Sequence, residues 1–134
     1  MLKTIAATLV STVALVAPAL AQEIKLFSPK HGALVENRQA VKGTVDFAPL
    51  DEKVWLLIKP MGMNDIWVQP FANVDSAGHF EVRPFFGRAM DIDNGTEYEL
   101  RAVADPSEKL REGMRLSDWP QGRARTEIIR VTRR

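Results

Sequence analysis

From Ile24 onward the apolar residues fall in short runs that alternate with polar ones or are bounded by turn residues, and no stretch keeps a helical period. This pattern predicts an all-β chain. Ile24 to Phe27 opens as a strand and stops at Ser28-Pro29-Lys30-His31-Gly32, where Pro presets φ and Gly permits positive φ. A short run at Ala33 to Val35 follows. Val41, Gly43 and Val45 then alternate with Lys42, Thr44 and Asp46, the mark of a strand buried on one face. Val54 to Pro60 is apolar on both faces and is expected at the centre of its sheet. Ile66 to Pro70 and Phe71 to Asp75 read as two shorter strands broken at Pro70.

After the turn Asp75-Ser76-Ala77-Gly78, Phe80 and Val82 alternate with His79, Glu81 and Arg83 along a half-buried strand from His79 to Phe86. In Thr96 to Asp105, Tyr98, Leu100 and Ala102 face inward and Glu97, Glu99 and Arg101 outward. Pro106 to Gly122 lacks β periodicity, and a strand near Thr126 to Thr132 closes the chain. About seven strands with turns every dozen residues predict a two-sheet antiparallel sandwich. The sequence shows no internal repeat or low-complexity segment.

The first residues follow another pattern. Lys3, the apolar run from Ile5 to Val16 and the small-residue site Ala19-Leu20-Ala21 have the layout of a secretory signal peptide over residues 1–21, with the mature chain starting at Gln22. The run is too short and too broken for a membrane anchor, so no stable membrane span is expected after cleavage. A lipoprotein is excluded, because there is no cysteine to carry the lipid. The expected location is the periplasm or the cell exterior. Residues 22–134 then suffice for one domain, which must be held by packing since no disulfide can help. Loss of Lys3 brings the 18 basic residues of the whole chain level with its 17 acidic ones. Near-neutral charge argues against a nucleic-acid partner. Arg115, Arg123, Arg125, Arg130, Arg133 and Arg134 nevertheless crowd the C-terminal end, where they read as a solvated edge strand rather than an anion site.

Ser28-Pro29 with Gly32, Val41 before Gly43-Thr44-Val45, Trp55 in its apolar strand, and Asp93-Asn94-Gly95-Thr96-Glu97-Tyr98 before Leu100 together resemble bacterial immunoglobulin-like and fibronectin-III-like sandwich domains. The resemblance covers nearly the whole of residues 22–134. It implies an immunoglobulin-like sandwich, a tyrosine corner at Tyr98 whose hydroxyl bonds backbone near Asp93 to Gly95, and Leu100 in place of the second cysteine of antibody domains. It also implies an adhesion, spacer or ligand-binding role rather than catalysis. In that topology Phe47 to Glu52, Asp75 to Gly78 and Pro106 to Gly122 gather at one end of the sandwich. Phe47, Leu50, Leu116 and Trp119 there form a candidate partner surface, with Leu116 and Trp119 alternatively plugging the core.

The remaining candidate chemistry is sparse. Asp91-Ile92-Asp93-Asn94-Gly95 offers alternate carboxylates as a calcium loop does, but Gly95 and Ala102 stand where further ligands belong, so a turn is preferred and no metal is expected. His31 and His79 lack a third ligand at zinc spacing. Asp75, Ser76 and His79 are the residue types of a hydrolase, packed too closely for anything but turn geometry. No cofactor motif is present. With Val54, Leu56 and Ile58 inward, Trp55 points outward and meets Trp67 in an aromatic platform for a sugar or peptide; family habit instead buries Trp55, and Trp67 is the stronger candidate for exposure. These features predict a non-catalytic module of the cell envelope that binds an envelope or extracellular protein, or alternatively a glycan, with a small hydrolase as the remaining reading.

Overall fold

The computed structural model describes residues 23–46 and 53–134. Ten strands form two sheets among these residues, and no helix is present. The small sheet has the order β1-β3-β6, where β1 is Glu23–Ser28, β3 is Val41–Asp46 and β6 is His79–Val82. The large sheet has the order β2-β10-β7-β4-β5-β8, where β2 is Leu34–Val35, β4 Lys53–Pro60, β5 Ile66–Asn73, β7 Glu97–Pro106, β8 Arg115–Leu116 and β10 Ile129–Arg133; β9, Gly122–Arg125, also pairs with β7.

Alternation does most of the work. Ile24, Val41, Val45, Phe80 and Val82 from the small sheet pack on Val54, Leu56, Ile58, Ala72, Leu100, Ala102, Ala104 and Val131 from the large one in a single core. As its two apolar faces predict, β4 lies centrally, between β7 and β5. Its other face starts a second cluster, in which Leu57 and Val103 meet Ile66, Val68, Leu110 and Leu116, with Trp55, Met114 and Trp119 packed against them. A fully buried leucine contributes roughly 1.5–3 kcal/mol, so this outer cluster is a substantial part of the fold.

Several expectations need correction. All strand pairs are antiparallel except β10 with β2, which runs parallel. The runs on either side of Pro70 are one strand, because Gln69 and Pro70 together oppose Leu56 as a bulge between the pairs Trp55 with Phe71 and Leu57 with Val68. The expected strand from His79 to Phe86 ends at Val82, since Pro84 cannot donate to a ladder. The closing strand expected from Thr126 begins only at Ile129 as β10, and an unexpected strand, β9, precedes it; the two share one edge of β7. Between them Thr126 is buried. Its N–H donates to the Ala102 carbonyl at 2.9 Å, and its hydroxyl accepts from the Ala102 N–H at 3.0 Å, so pairing continues through a side chain.

Pro106 to Gly122 does not gather at one end of the sandwich. It starts beside β9, where the Ser107 N–H donates to the Gln121 carbonyl, and reaches the far end of β5, where Gly113 and Met114 bond to Val68 and β8 pairs with Ile66 and Trp67. Having two apolar faces on β4 requires such a cover, and Leu110 and Leu116 supply it.

Candidate functional site

The three short strands of the small sheet leave one end of the large sheet's inner face uncovered. β6 stops at Val82, and the chain crosses as Arg83-Pro84-Phe85-Phe86. Neighbouring side chains on extended backbone diverge, so the two phenylalanines have different fates. Phe86 is fully buried and meets the Tyr98 ring edge-on at 5.9 Å, closing the core. Phe85 is 46% exposed and faces a cleft of about 710 Å³. One wall is the β4–β5 hairpin, with Pro60, Met61 and Met63. The floor is Ile58, Trp67, Gln69 and Tyr98. The far wall is Phe85, Gly87, Arg88 and Asp93, and Glu112 and Gly113 stand at the margin. Met63 is 51% exposed and Trp67 37%.

The far wall is fixed by polar tethers. Arg133 is only 4% exposed, and its guanidinium donates from Nη1 to the carbonyls of Phe86 (2.7 Å) and Arg88 (2.8 Å) and from Nη2 to that of Met90 (2.5 Å). Asn37 adds a bond from Nδ2 to the Gly87 carbonyl at 3.0 Å and accepts the Phe86 N–H on its own carbonyl at 2.8 Å. Asp93 Oδ2 accepts from the Arg88 N–H at 2.6 Å and from Arg88 Nε at 3.2 Å, while Arg88 Nη2 lies 3.1 Å from Oδ1. These bonds carry Met90 into the left-handed region, with φ of 68°, and Gly87 to φ of 80°. A side chain at Gly87 would strike the Tyr98 hydroxyl and the Asp93 carboxylate, so only glycine fits there. The opposite side is tied by Gln69, whose Oε1 accepts the Phe85 N–H at 2.8 Å.

Charge follows from this geometry. The side-chain hydrogen bond from Arg88 is the chief reason the Asp93 carboxyl sits below the usual range, and the same contact raises Arg88. Burial, then the Asp93 charge, pushes the Tyr98 phenol up, so it is a neutral hydroxyl with the Thr96 side chain as a hydrogen-bond partner. Among the described residues no group of three or more His, Cys, Asp or Glu side chains could hold a metal ion. Asp93 serves Arg88, and Asp91 is bonded to Asn94 through both its backbone and its side chain.

The residues singled out from sequence are dispersed. Trp67 lies on the cleft floor. Trp55 is on the opposite face of the sheet, half-buried and 5.1 Å from Phe71, so the two tryptophans form no joint platform. Parity explains the error: Ile58, an inward residue, is the cross-strand partner of Trp67. Leu116 is buried, and Trp119 packs half-buried on the outer cluster with the Arg101 guanidinium 5.5 Å from its ring. Burial, then Arg125, holds Arg101 below its ordinary pKa. Phe47 and Leu50 lie outside the described residues, as does the signal-peptide segment. Asp75 caps its turn, with Oδ1 accepting from the N–H groups of Ala77 (2.9 Å) and His79 (2.8 Å), and His79 Nδ1 stands 3.9 Å from Oδ2 in an exposed pair.

Sequence reasoning missed Met63, Gln69, Phe85 and Arg88. One signal was present: the doublet Phe85-Phe86 on extended backbone cannot place both rings in one core. No protein-family model matches this chain, and no curated protein or solved structure matches it either.

Proposed function

We propose that this chain is an exported, non-catalytic binding module of the bacterial envelope, and that it takes apolar side chains of a partner protein into the cleft between the β4–β5 hairpin and residues 85–96. The observation that carries this reading is the cleft itself: a concave, largely apolar site with a few fixed polar groups, rimmed by exposed Met63 and Phe85 above the partly exposed Trp67 of its floor. Exposed aromatics and methionines around a pocket favour a protein over a glycan, because they extend the apolar surface past the pocket mouth. One face of each ring is also taken, Phe85 by Arg38 and Trp67 by Arg115, which leaves less open ring for a sugar to stack on.

A photo-crosslinking residue introduced at Phe85, and separately at Trp119, tests the site in producing cells. The Phe85 position is expected to give a discrete crosslinked partner in the envelope fraction, and the Trp119 position none. The reverse pattern moves the interface to the outer cluster and ends this reading. Export is checked by mass spectrometry of the same fraction, which is expected to find Gln22 as the N-terminus; intact Met1 to Ala21 on the envelope-resident protein would refute it.

A further inference from the structure

Taking the cleft as the binding site, we infer that its occupant is an acidic apolar segment: hydrophobic anchors flanked by carboxylates that reach the arginines at the rim. The guanidinium of Arg38 lies 3.9 Å from the centre of the Phe85 ring, and that of Arg115 lies 5.4 Å from the centre of the Trp67 ring. Each is exposed, and neither pairs with a carboxylate among the described residues. Arg38 spends one Nη2 hydrogen bond on the Arg83 carbonyl at 3.0 Å. A guanidinium held over an aromatic ring still has N–H groups to offer a carboxylate, so ring and cation together recognise an apolar group beside an acid.

The field behind the wall has the same sign. Arg133 is buried with only carbonyls on its Nη atoms, and its Nε has no partner. Of the two carboxylates lining the cleft, Asp93 is held by Arg88 and only Glu112 opposes the excess. Arg88 and Asp93 thus offset each other in the lining, and the cations left to act on an occupant are Arg38 and Arg115 on the two rings with Arg133 behind the wall, against Glu112 at the margin. Low-dielectric walls strengthen such a bias at the mouth.

Three fluorescein-labelled peptides with one shared core of Phe and Leu anchors, flanked by Glu, by Gln or by Lys, separate this inference from the reading beneath it. In fluorescence anisotropy with the purified protein, the Glu-flanked peptide is expected to bind about tenfold more tightly than the Gln-flanked one, and the Lys-flanked one most weakly. The Glu/Gln ratio should shrink with added salt and collapse toward one in Arg38→Gln/Arg115→Gln, whose melting temperature confirms folding. Equal binding of all three peptides, lost in Phe85→Ala, overturns the acidic preference and leaves the cleft standing. Binding of none overturns both, as does binding to vesicles of anionic phospholipid without binding to any peptide.

Discussion

Two long connections meet the large sheet and treat one aromatic residue each, Trp119 and Phe85, in opposite ways. Residues 107–121 lie on its outer face and turn Leu110, Leu116 and Trp119 onto Leu57, Val103, Ile66 and Val68. Residues 83–96 stand at the open end of its inner face and turn Phe85 away from the core. The difference lies in what anchors each. The first is fastened by apolar burial as well as by its pairing with β5, so its large side chains are consumed in the fastening. The second sinks Phe86 into the core but is otherwise fastened by hydrogen bonds from Arg133, Asn37 and Gln69 and by the Arg88–Asp93 pair, which leaves Phe85 free to line a cleft. A wall tethered through its backbone can present hydrophobic surface without collapsing onto it.

The largest effect tests whether the outer cluster is a true core. Leu57→Ala should cost about 2–5 kcal/mol in chemical denaturation, as for any fully buried leucine. A change within 0.5 kcal/mol, about what an exposed site gives, would mean that residues 107–121 only rest on the sheet. The next contrasts the two connections directly. Trp119→Ala should lose about 2 kcal/mol of stability, roughly half the cost of a fully buried tryptophan, and keep partner binding. Phe85→Ala should keep stability and lose binding. If Trp119→Ala weakens the partner while the fold stays intact, the interface expected from sequence at Leu116 and Trp119 is restored and the comparison inverts.

The framework was legible because alternation encodes it. Val41, Gly43 and Val45, Phe80 and Val82, and Tyr98, Leu100 and Ala102 all face the core as their spacing requires. The cleft was less legible for two physical reasons. Cross-strand partnership is absent from a single strand's pattern, which joins Trp55 and Trp67 although the register sets them on opposite faces. The tethers of residues 83–96 come from Asn37 and Arg133, each more than forty positions from its carbonyl partners, and long-range polar contacts leave no local signature. By composition Arg133 is one charge in a solvated arginine run, yet it is nearly fully buried.

Tyr98 joins the two halves of the comparison, since its ring is in the core and its hydroxyl lies under Gly87 at the cleft wall. Tyr98→Phe should cost about 0.5–1.5 kcal/mol, because the ring still packs while the hydrogen bond with the half-exposed Thr96 side chain is lost. An unchanged denaturation midpoint would show that the hydroxyl is energetically idle and that the wall is held without it.

The smallest effect isolates the far wall by pH. Asp93 is surrounded by Arg88, the Arg133 field and the neutral Tyr98 hydroxyl, and chiefly through Arg88 its folded pKa lies below the ordinary 3.8. A group depressed in the folded state adds stability that is present in full above its unfolded pKa. That contribution starts to fade as the unfolded chain takes up protons near 3.8 and is gone once pH has fallen through the lower folded value. Asp75 is depressed as well, chiefly by the His79 N–H, so acid loosens two turns at once. They separate by location: amide exchange at Arg88, whose N–H bonds Asp93, should accelerate relative to the intrinsic rate as pH falls below about 4, in wild type and in Asp75→Asn. In Asp93→Asn it should be fast above as well as below that pH. If Arg88 protection ignores pH in the wild type, the Arg133 and Asn37 tethers alone hold the wall, and the Arg88–Asp93 pair is a surface contact without structural consequence.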